Sequence, residues 1–356
     1  MSHNLSKHIT KAFLLLLLAS GLAGCSWLKD DLDGCPGGCR IRVQVSVGVE
    51  AGAESGGPAN AEAFAREVND LTLWVFDADG RFIDTFREQG DVLRRNNYMM
   101  ELPLDPGRYQ LVVWTGLDDS NYRVTDLVKN VSTLDDLTLR LERDEANRQN
   151  NCLTPLWYGR TTVVEVQKSQ FTLLTVSLTK DTNTLVAVLQ DTSGRNLDSD
   201  LYTYEIIAAN GYMDADNRLL TDDKISYGAY FTQTAQVGED TGESENTRAG
   251  LNTLSVARAE LNTLRLMTDK KTRFVVTEKA TGKKILNIDL TQYLLLTREL
   301  FQGSSGMRLT DQQYLDYEDR YSVIFFLTPT GDVENPYVCL TLNINGWIIR
   351  LNNAEL

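Results

Sequence analysis

Histidine is almost missing from this chain. The only two, His3 and His8, lie ahead of residue 25 in a segment read below as a removed leader, so the mature chain has none. That absence excludes Ser-His-Asp and Cys-His nucleophile pairs, histidine general bases and histidine metal ligands together. Carboxylate, lysine or tyrosine chemistry would remain, but nothing in the spacing of the carboxylates singles out a pair. The expectation is therefore a protein that is not an enzyme, with no cofactor and no small-molecule substrate. Basic blocks are missing too. The chain carries 35 Lys and Arg against 49 Asp and Glu, a formal charge of −14. Losing the leader, which holds Lys7 and Lys11 and no acid, takes the charge to −16. Nucleic acid is not an expected partner. After residue 25 no apolar run is long enough to cross a bilayer, so the folded part is expected to be soluble and tethered.

Cysteine is sparse: Cys25, Cys35, Cys39, Cys152 and Cys339. In an oxidising compartment the last four allow three disulfide pairings, and the sequence does not choose among them. A four-thiolate zinc site would need a second closely spaced pair beside Cys35-x3-Cys39, and there is none. No metal is expected.

What the chain does have is a marked N-terminus. Lys7 and Lys11 precede Ala12 to Ala19, with five consecutive leucines, and then Leu22-Ala23-Gly24-Cys25. A basic region, a short apolar segment and small residues before a cleavage point make a secretory signal peptide, residues 1–24. The cysteine directly after it resembles the bacterial lipobox, whose cysteine takes thioether-linked lipid and becomes the acylated first residue. Cys25 is thus the expected lipidation site. Buried acyl chain is worth ~0.8 kcal/mol per methylene, and two or more chains make anchoring stable. No aspartate follows Cys25 to suggest inner-membrane retention, and Lys29-Asp30-Asp31 resembles a surface-export signal. Residues 25–39, ending in Cys35-Pro36-Gly37-Gly38-Cys39, read as the lipidated tether.

Order then begins with Ile41, Val43, Val45, Val47 and Val49 alternating with Arg42, Gln44, Ser46 and Gly48, the period of a strand with one buried face. A Gly/Ala/Ser loop covers 50–60, and Ala61, Phe64, Ala65 and Val68 form the stripe of a short helix. Leu71 to Phe76 and Arg81 to Arg87 predict a hairpin turning at Asp79-Gly80. Asp77-x-Asp79-Gly80 looks like part of a calcium loop, but the later ligands are not at their positions. Tyr98 to Leu104 and Tyr109 to Trp114 flank Asp105-Pro106-Gly107, the residues of a type II turn. Further strands are expected at 137–141, 156–160, 171–178, 184–189, 202–208, 257–266, 273–277, 284–289, 321–327 and 337–349, with turns at Asn210-Gly211 and Thr281-Gly282 and a loop at 239–250. Leu290 to Phe301 departs from the strand period, and Thr310-x-x-Gln313 is a capping box opening a helix. The polar joint Thr179-Lys180-Asp181-Thr182-Asn183 divides the folded part into residues 40–180 and 181–356. Many short strands with few helices predict a mainly β protein of two sandwich domains in tandem.

Several stretches together resemble one family, the fimbrillin-associated anchor lipoproteins of Bacteroidetes type V fimbriae. They are Asp30-Asp31-Leu32 with Cys35-Pro36, Leu73 to Gly80, Leu104 to Trp114, Leu178 to Asn183, Asn262 to Met267, Gln313 to Asp316 and Ile344-Asn345-Gly346-Trp347. The resemblance implies two transthyretin-like domains, an outer-membrane lipid anchor exposed at the cell surface, and a place at the base of a fimbria with a fimbrillin subunit as partner. It also implies that subunits polymerise after an N-terminal strand is removed and replaced. An anchor cut there would lose its lipid, so Ile41 to Val49 is expected to stay, and the C-terminal strand Tyr337 to Leu351 is the expected fimbrillin contact, with Val338, Leu340, Leu342 and Ile344 on one face. The alternative function is a surface lipoprotein binding glycan or another nutrient, with Trp114, Trp157 and Trp347 as candidate sugar platforms.

Overall fold

A computed structural model describes residues 39–44, 64–95, 98–117, 121–167, 171–237, 254–332 and 337–351. Cys25, Cys35, residues 45–49 and the loop at 239–250 lie outside the described residues. In chain order the strands of the first half are β1 (Cys39–Gln44), β2 (Asp70–Asp77), β3 (Phe82–Gln89), β4 (Met100–Leu102), β5 (Gly107–Thr115), β6 (Tyr122–Val124), β7 (Thr138–Leu141), β8 (Arg148–Gln149), β9 (Trp157–Arg160), β10 (Val164–Val166), β11 (Thr172–Ser177) and β12 (Thr179–Lys180). Those of the second are β13 (Asn183–Asp191), β14 (Tyr202–Ala208), β15 (Tyr212–Asp214), β16 (Ile225–Gly228), β17 (Phe231–Val237), β18 (Leu254–Thr263), β19 (Arg273–Glu278), β20 (Lys284–Asp289), β21 (Arg320–Pro329), β22 (Tyr337–Ile344) and β23 (Trp347–Arg350). The α-helices α1 (Leu290–Leu295), α2 (Arg298–Ser305) and α3 (Asp311–Tyr317) sit between β20 and β21. One helical turn, 64–67, matches the stripe expected there.

β1 is the middle strand of a three-stranded sheet, parallel to β11 and antiparallel to β4. A second sheet runs β12-β9-β5-β2-β3, with β10 also on β5. Side chains alternate across a strand, so Leu71, Leu73 and Val75 of β2 and Leu111 and Val113 of β5 point one way. They meet Met100, Leu102 and Val176 of the first sheet in one core. In the second half a six-stranded sheet, β17-β18-β13-β21-β22-β23, packs on β20-β19-β14-β16-β8, with Phe274 of β19 stacked on Phe325 of β21 at 5.5 Å. β13 lies parallel to β21 and antiparallel to β18, repeating the placement of β1 between β11 and β4.

The opposite face of β2 and β5 is apolar as well, with Trp74, Phe76, Val112 and Trp114. The excursion from β5 to β9 covers it. Its β7 pairs with β15 and its β8 runs parallel to β16, so strands from the first half complete sheets of the second and the core is continuous. Two covered faces explain why six consecutive residues of β2 are buried.

Two elements differ from expectation. β4 and β5 belong to different sheets, so 98–114 crosses between layers and is not a hairpin. Gly107 opens β5 without a positive φ, the Tyr109 ring packs over it, and the Tyr109 hydroxyl donates to the Asp105 carbonyl at 2.8 Å. The C-terminal run is two strands. Asn345 and Gly346, with φ of 49° and 88°, turn the chain between β22 and β23. Two left-handed residues match a two-residue hairpin turn of the kind Asn-Gly favours. The capping box is present: the Gln313 amide donates to Thr310 Oγ1 at 3.2 Å and the Thr310 amide to Gln313 Oε1 at 2.9 Å.

Candidate functional site

Three of the stretches that carry the family resemblance converge on one buried polar joint. Asp181, between β12 and β13, is fully buried; its amide donates to the Leu156 carbonyl at 2.8 Å and its Oδ1 accepts from Asn217 Nδ2 at 2.8 Å. Arg265, just beyond β18, donates through Nε and Nη2 to the two oxygens of Asp316 in α3 at 2.9 and 2.7 Å, and through Nη1 to the Asn217 carbonyl at 2.7 Å. Gln312 closes the ring, its Nε2 reaching Asp316 Oδ1 and the Leu266 carbonyl, both at 3.0 Å. Next door Lys180 bridges Glu67 at 2.8 Å and Asp319 at 2.6 Å. Asn262 accepts from the Leu153 amide at 3.2 Å and donates to Thr184 Oγ1 at 3.1 Å.

Burial pushes the Asp181 carboxyl up to about 7, against the opposing pull of Arg265 and the Asn217 hydrogen bond. Burial also raises Glu318 to about 7, helped by the Asp319 charge. Asp181 Oδ2 and Asn217 Oδ1 are both buried without a hydrogen-bond partner. A fork-to-fork Arg–carboxylate pair out of water is geometrically demanding, so the joint fixes how α3, β13 and the β15 turn meet.

Asn217 enters through a turn design that occurs four times and that the strand reading missed. Asp77 to Arg81, Asp144 to Arg148, Asp191 to Arg195 and Asp214 to Arg218 share the pattern Asp-x-x-Gly/Asn-Arg. In each, the aspartate Oδ1 accepts the amide two residues on, at 2.9, 2.9, 2.7 and 2.8 Å. The fourth residue is left-handed, with φ of 81°, 55°, 81° and 60°. Asp77 is therefore occupied by main-chain amides, a turn lock in place of a calcium-loop fragment. The repeated pentapeptide was the available signal.

The expected sites distribute unevenly. Trp114 and Trp157 are buried, Trp114 edge-on to Trp74 at 5.5 Å, and offer no face to a sugar; Trp347 is half-buried on β23. Cys152 is exposed and Cys339 buried, and both are free thiols; burial pushes Cys339 up to about 12. β22, the expected contact strand, has β21 on one side and β23 on the other, so both of its edges are used, and Leu342 and Ile344 are core. Among the described residues the end strands of that sheet are β17 and β23, and Ile348 on β23 is 64 % exposed. No helix among the described residues is long and apolar enough to cross a membrane.

The described residues form a mainly β scaffold whose polar joint is turned inward. The model of the Fimbrillin-A associated anchor proteins Mfa1 and Mfa2 matches residues 32–353, and the chain belongs to that family, one of anchor proteins and not of enzymes. The Minor fimbrium anchoring subunit Mfa2 of Porphyromonas gingivalis is 24 % identical over 350 residues, 96 % of this chain and 94 % of that one. The crystal structure of a candidate polysaccharide-binding protein from Bacteroides thetaiotaomicron is 32 % identical with a TM-score of 0.72, covering 89 % of this chain and 98 % of that one. The fimbrial anchor protein Mfa2 from Porphyromonas gingivalis shares the fold at 21 % identity and a TM-score of 0.65, covering 88 % and 99 %.

Proposed function

We propose that this chain is an outer-membrane lipoprotein, acylated at Cys25, that holds the base of a fimbria at the cell surface and ends or regulates its assembly. The observation that carries the reading is the family match, which starts at residue 32, a few residues past the lipobox cysteine, and runs through 353. On this reading residues 1–24 are the leader, 25–39 the tether, and 40–180 and 181–356 two β-sandwich domains. The fimbrillin contact moves from the whole C-terminal strand to the open edge β23. In a two-residue hairpin Ile344 and Trp347 share hydrogen bonds, so Ile348 and Arg350 turn their main-chain groups outward. Backbone pairing there would supply affinity and Ile348 specificity.

The test is Cys25→Ser in cells. Lipid labelling should vanish and fimbriae should appear in the medium while the folded part stays intact; a mutant kept in the envelope refutes the lipid anchor. Ile348→Pro keeps the hairpin ladder and should weaken fimbrial attachment; unchanged attachment removes β23 from the contact. The second reading, a surface glycan-binding lipoprotein, draws on the candidate polysaccharide-binding relative. Glycan-array binding lost in Trp347→Ala would favour it over the anchor.

A further inference from the structure

Beyond the shaft contact, the first half of the chain carries a cleft that neither the anchoring role nor the polar joint uses. β3 is the last strand of its sheet and β6 the last strand of β15-β7-β6. β3 and the chain that follows β6 meet where the Asn130 amide donates to the Phe82 carbonyl at 2.9 Å and the Phe82 amide to the Ser132 carbonyl at 2.8 Å. From there they diverge around two adjoining cavities of about 380 and 550 Å³, which share Arg87, Val124 and Asp126 in their walls. Both volumes fall in the range of ligand sites.

The walls present main chain at strand spacing. The Gly90 amide donates to the Asn69 carbonyl at 2.8 Å and the Asp77 amide to the Arg81 carbonyl at 2.9 Å, which fixes the parity of the β2–β3 ladder. Asp84, Phe86 and Glu88 bond to β2, so the main-chain groups of Arg87 and Gln89 face the cleft, as does the Thr85 carbonyl, while the Thr85 amide is held by Asp84 Oδ1 at 3.0 Å. Across it, the Thr125 amide donates to the Thr138 carbonyl at 3.0 Å and the Glu142 amide to the Asn121 carbonyl at 2.8 Å, so Val124 turns its main chain away from β7. The side chains carry a second message. In a chain where most acids and bases are paired, Arg87 and Asp126 line both cavities yet have no hydrogen bond or ion pair among the described residues. Trp74, Val124 and Leu127 make the end nearest the closure apolar.

We propose that this cleft binds an extended peptide strand of a partner polypeptide, paired to the open edge of β3, with an acidic side chain on Arg87, a basic one on Asp126 and an apolar one over Trp74 and Val124. Strand addition joins main-chain pairing for affinity to alternate side chains for specificity. An open edge of this kind otherwise invites unspecific pairing, and the two partnerless charges restrict what enters.

The experiment selects ten-residue peptides from a random display library on the full chain in detergent. Enriched peptides should carry one acid and one base around an apolar residue, and their binding should slow amide exchange at Arg87, Gln89 and Val124. Arg87→Pro removes an amide that faces the cleft and no ladder bond, a placement proline tolerates. It should weaken peptide binding at least tenfold with the melting temperature held. Arg87→Glu with Asp126→Lys should select peptides of inverted charge order, which keeps the test decisive should the proline variant fail to fold. Absence of enriched peptides, binding indifferent to both variants, or protection of these amides by yeast mannan instead of peptide would overturn the proposal. None of these outcomes depends on Cys25 or Ile348.

Discussion

Asp181→Asn should make the protein more stable at pH 8 and leave it nearly unchanged at pH 5. Asp181 is fully buried, and burial raises its carboxyl from 3.8 to about 7. Below about pH 4 the group is protonated in native and unfolded chains alike. Between there and pH 7 the native state keeps a proton that the unfolded state has released, so stability falls as pH rises. Above pH 7 both forms are ionised and the slope ends. Each pH unit in the window costs about 1.4 kcal/mol, so from pH 5 to pH 8 the wild-type chain loses about 3 kcal/mol that the asparagine variant keeps. Asparagine also brings a donor to the place where Asp181 Oδ2 and Asn217 Oδ1 are both acceptors without partners. Glu318, raised in the same direction, titrates in both proteins and cancels in the difference. Calorimetric melts at pH 5, 6, 7 and 8 should show the variant gaining roughly 5 to 10 °C on the wild type across the series, for a cooperative unit of 150–250 residues. Parallel curves for the two proteins would refute a buried, proton-holding Asp181.

Arg265→Ala removes the cation that faces Asp181 and Asp316, and uncompensated buried charge costs about 3–5 kcal/mol; the midpoint of urea unfolding at pH 7 measures it, and a change under 1 kcal/mol would mean that the joint is solvated. Leu342→Ala should cost about 2–5 kcal/mol because the side chain is fully buried in the core of the second half. Ile348→Ala, at an exposed edge position, should stay within about 0.5 kcal/mol of wild type; equal losses would contradict the hairpin assignment of the C-terminal run.

Period-two alternation was enough to read β14 and β21 from the sequence, because each has one buried face and the pattern reports burial directly, whereas β2 and β19 were legible as short continuous apolar runs. The short strands β6, β8 and β15 were not legible. They are two or three residues long, too short for a period; β6 and β8 belong to the excursion from β5 to β9 and β15 pairs with its β7. The β22–β23 turn carried its signal in Asn345-Gly346, but alternation on both sides of it made one long strand an equally good description. Thr179 to Asn183 read as a polar boundary without its partners, since Asn217 joins Asp181 to Arg265 only through tertiary contact and an ion network leaves no periodic trace. Cys25 is the reverse case: its role rests on sequence spacing alone.

The anchoring proposed above would set a mechanical condition that the place of β1 helps to meet. If the lipid is on Cys25, the pull of a fimbria enters the folded part at Cys39, the first residue of β1. That strand is paired over six positions with β11 and over three with β4, so it is held from both sides. Drawing it out along its axis loads those main-chain bonds together, whereas an edge strand peeled from one side yields them one at a time. β11 is itself covalently followed by β12, then Asp181 and β13, so load passed to β11 reaches the polar joint within a few residues. β13 is again a middle strand, between β18 and β21. On the proposed anchoring, the load path from membrane to fimbria would run through two strands held on both sides and the buried ion network between them. Under that proposal, proteolysis between residue 25 and β1 would break the path at its first link.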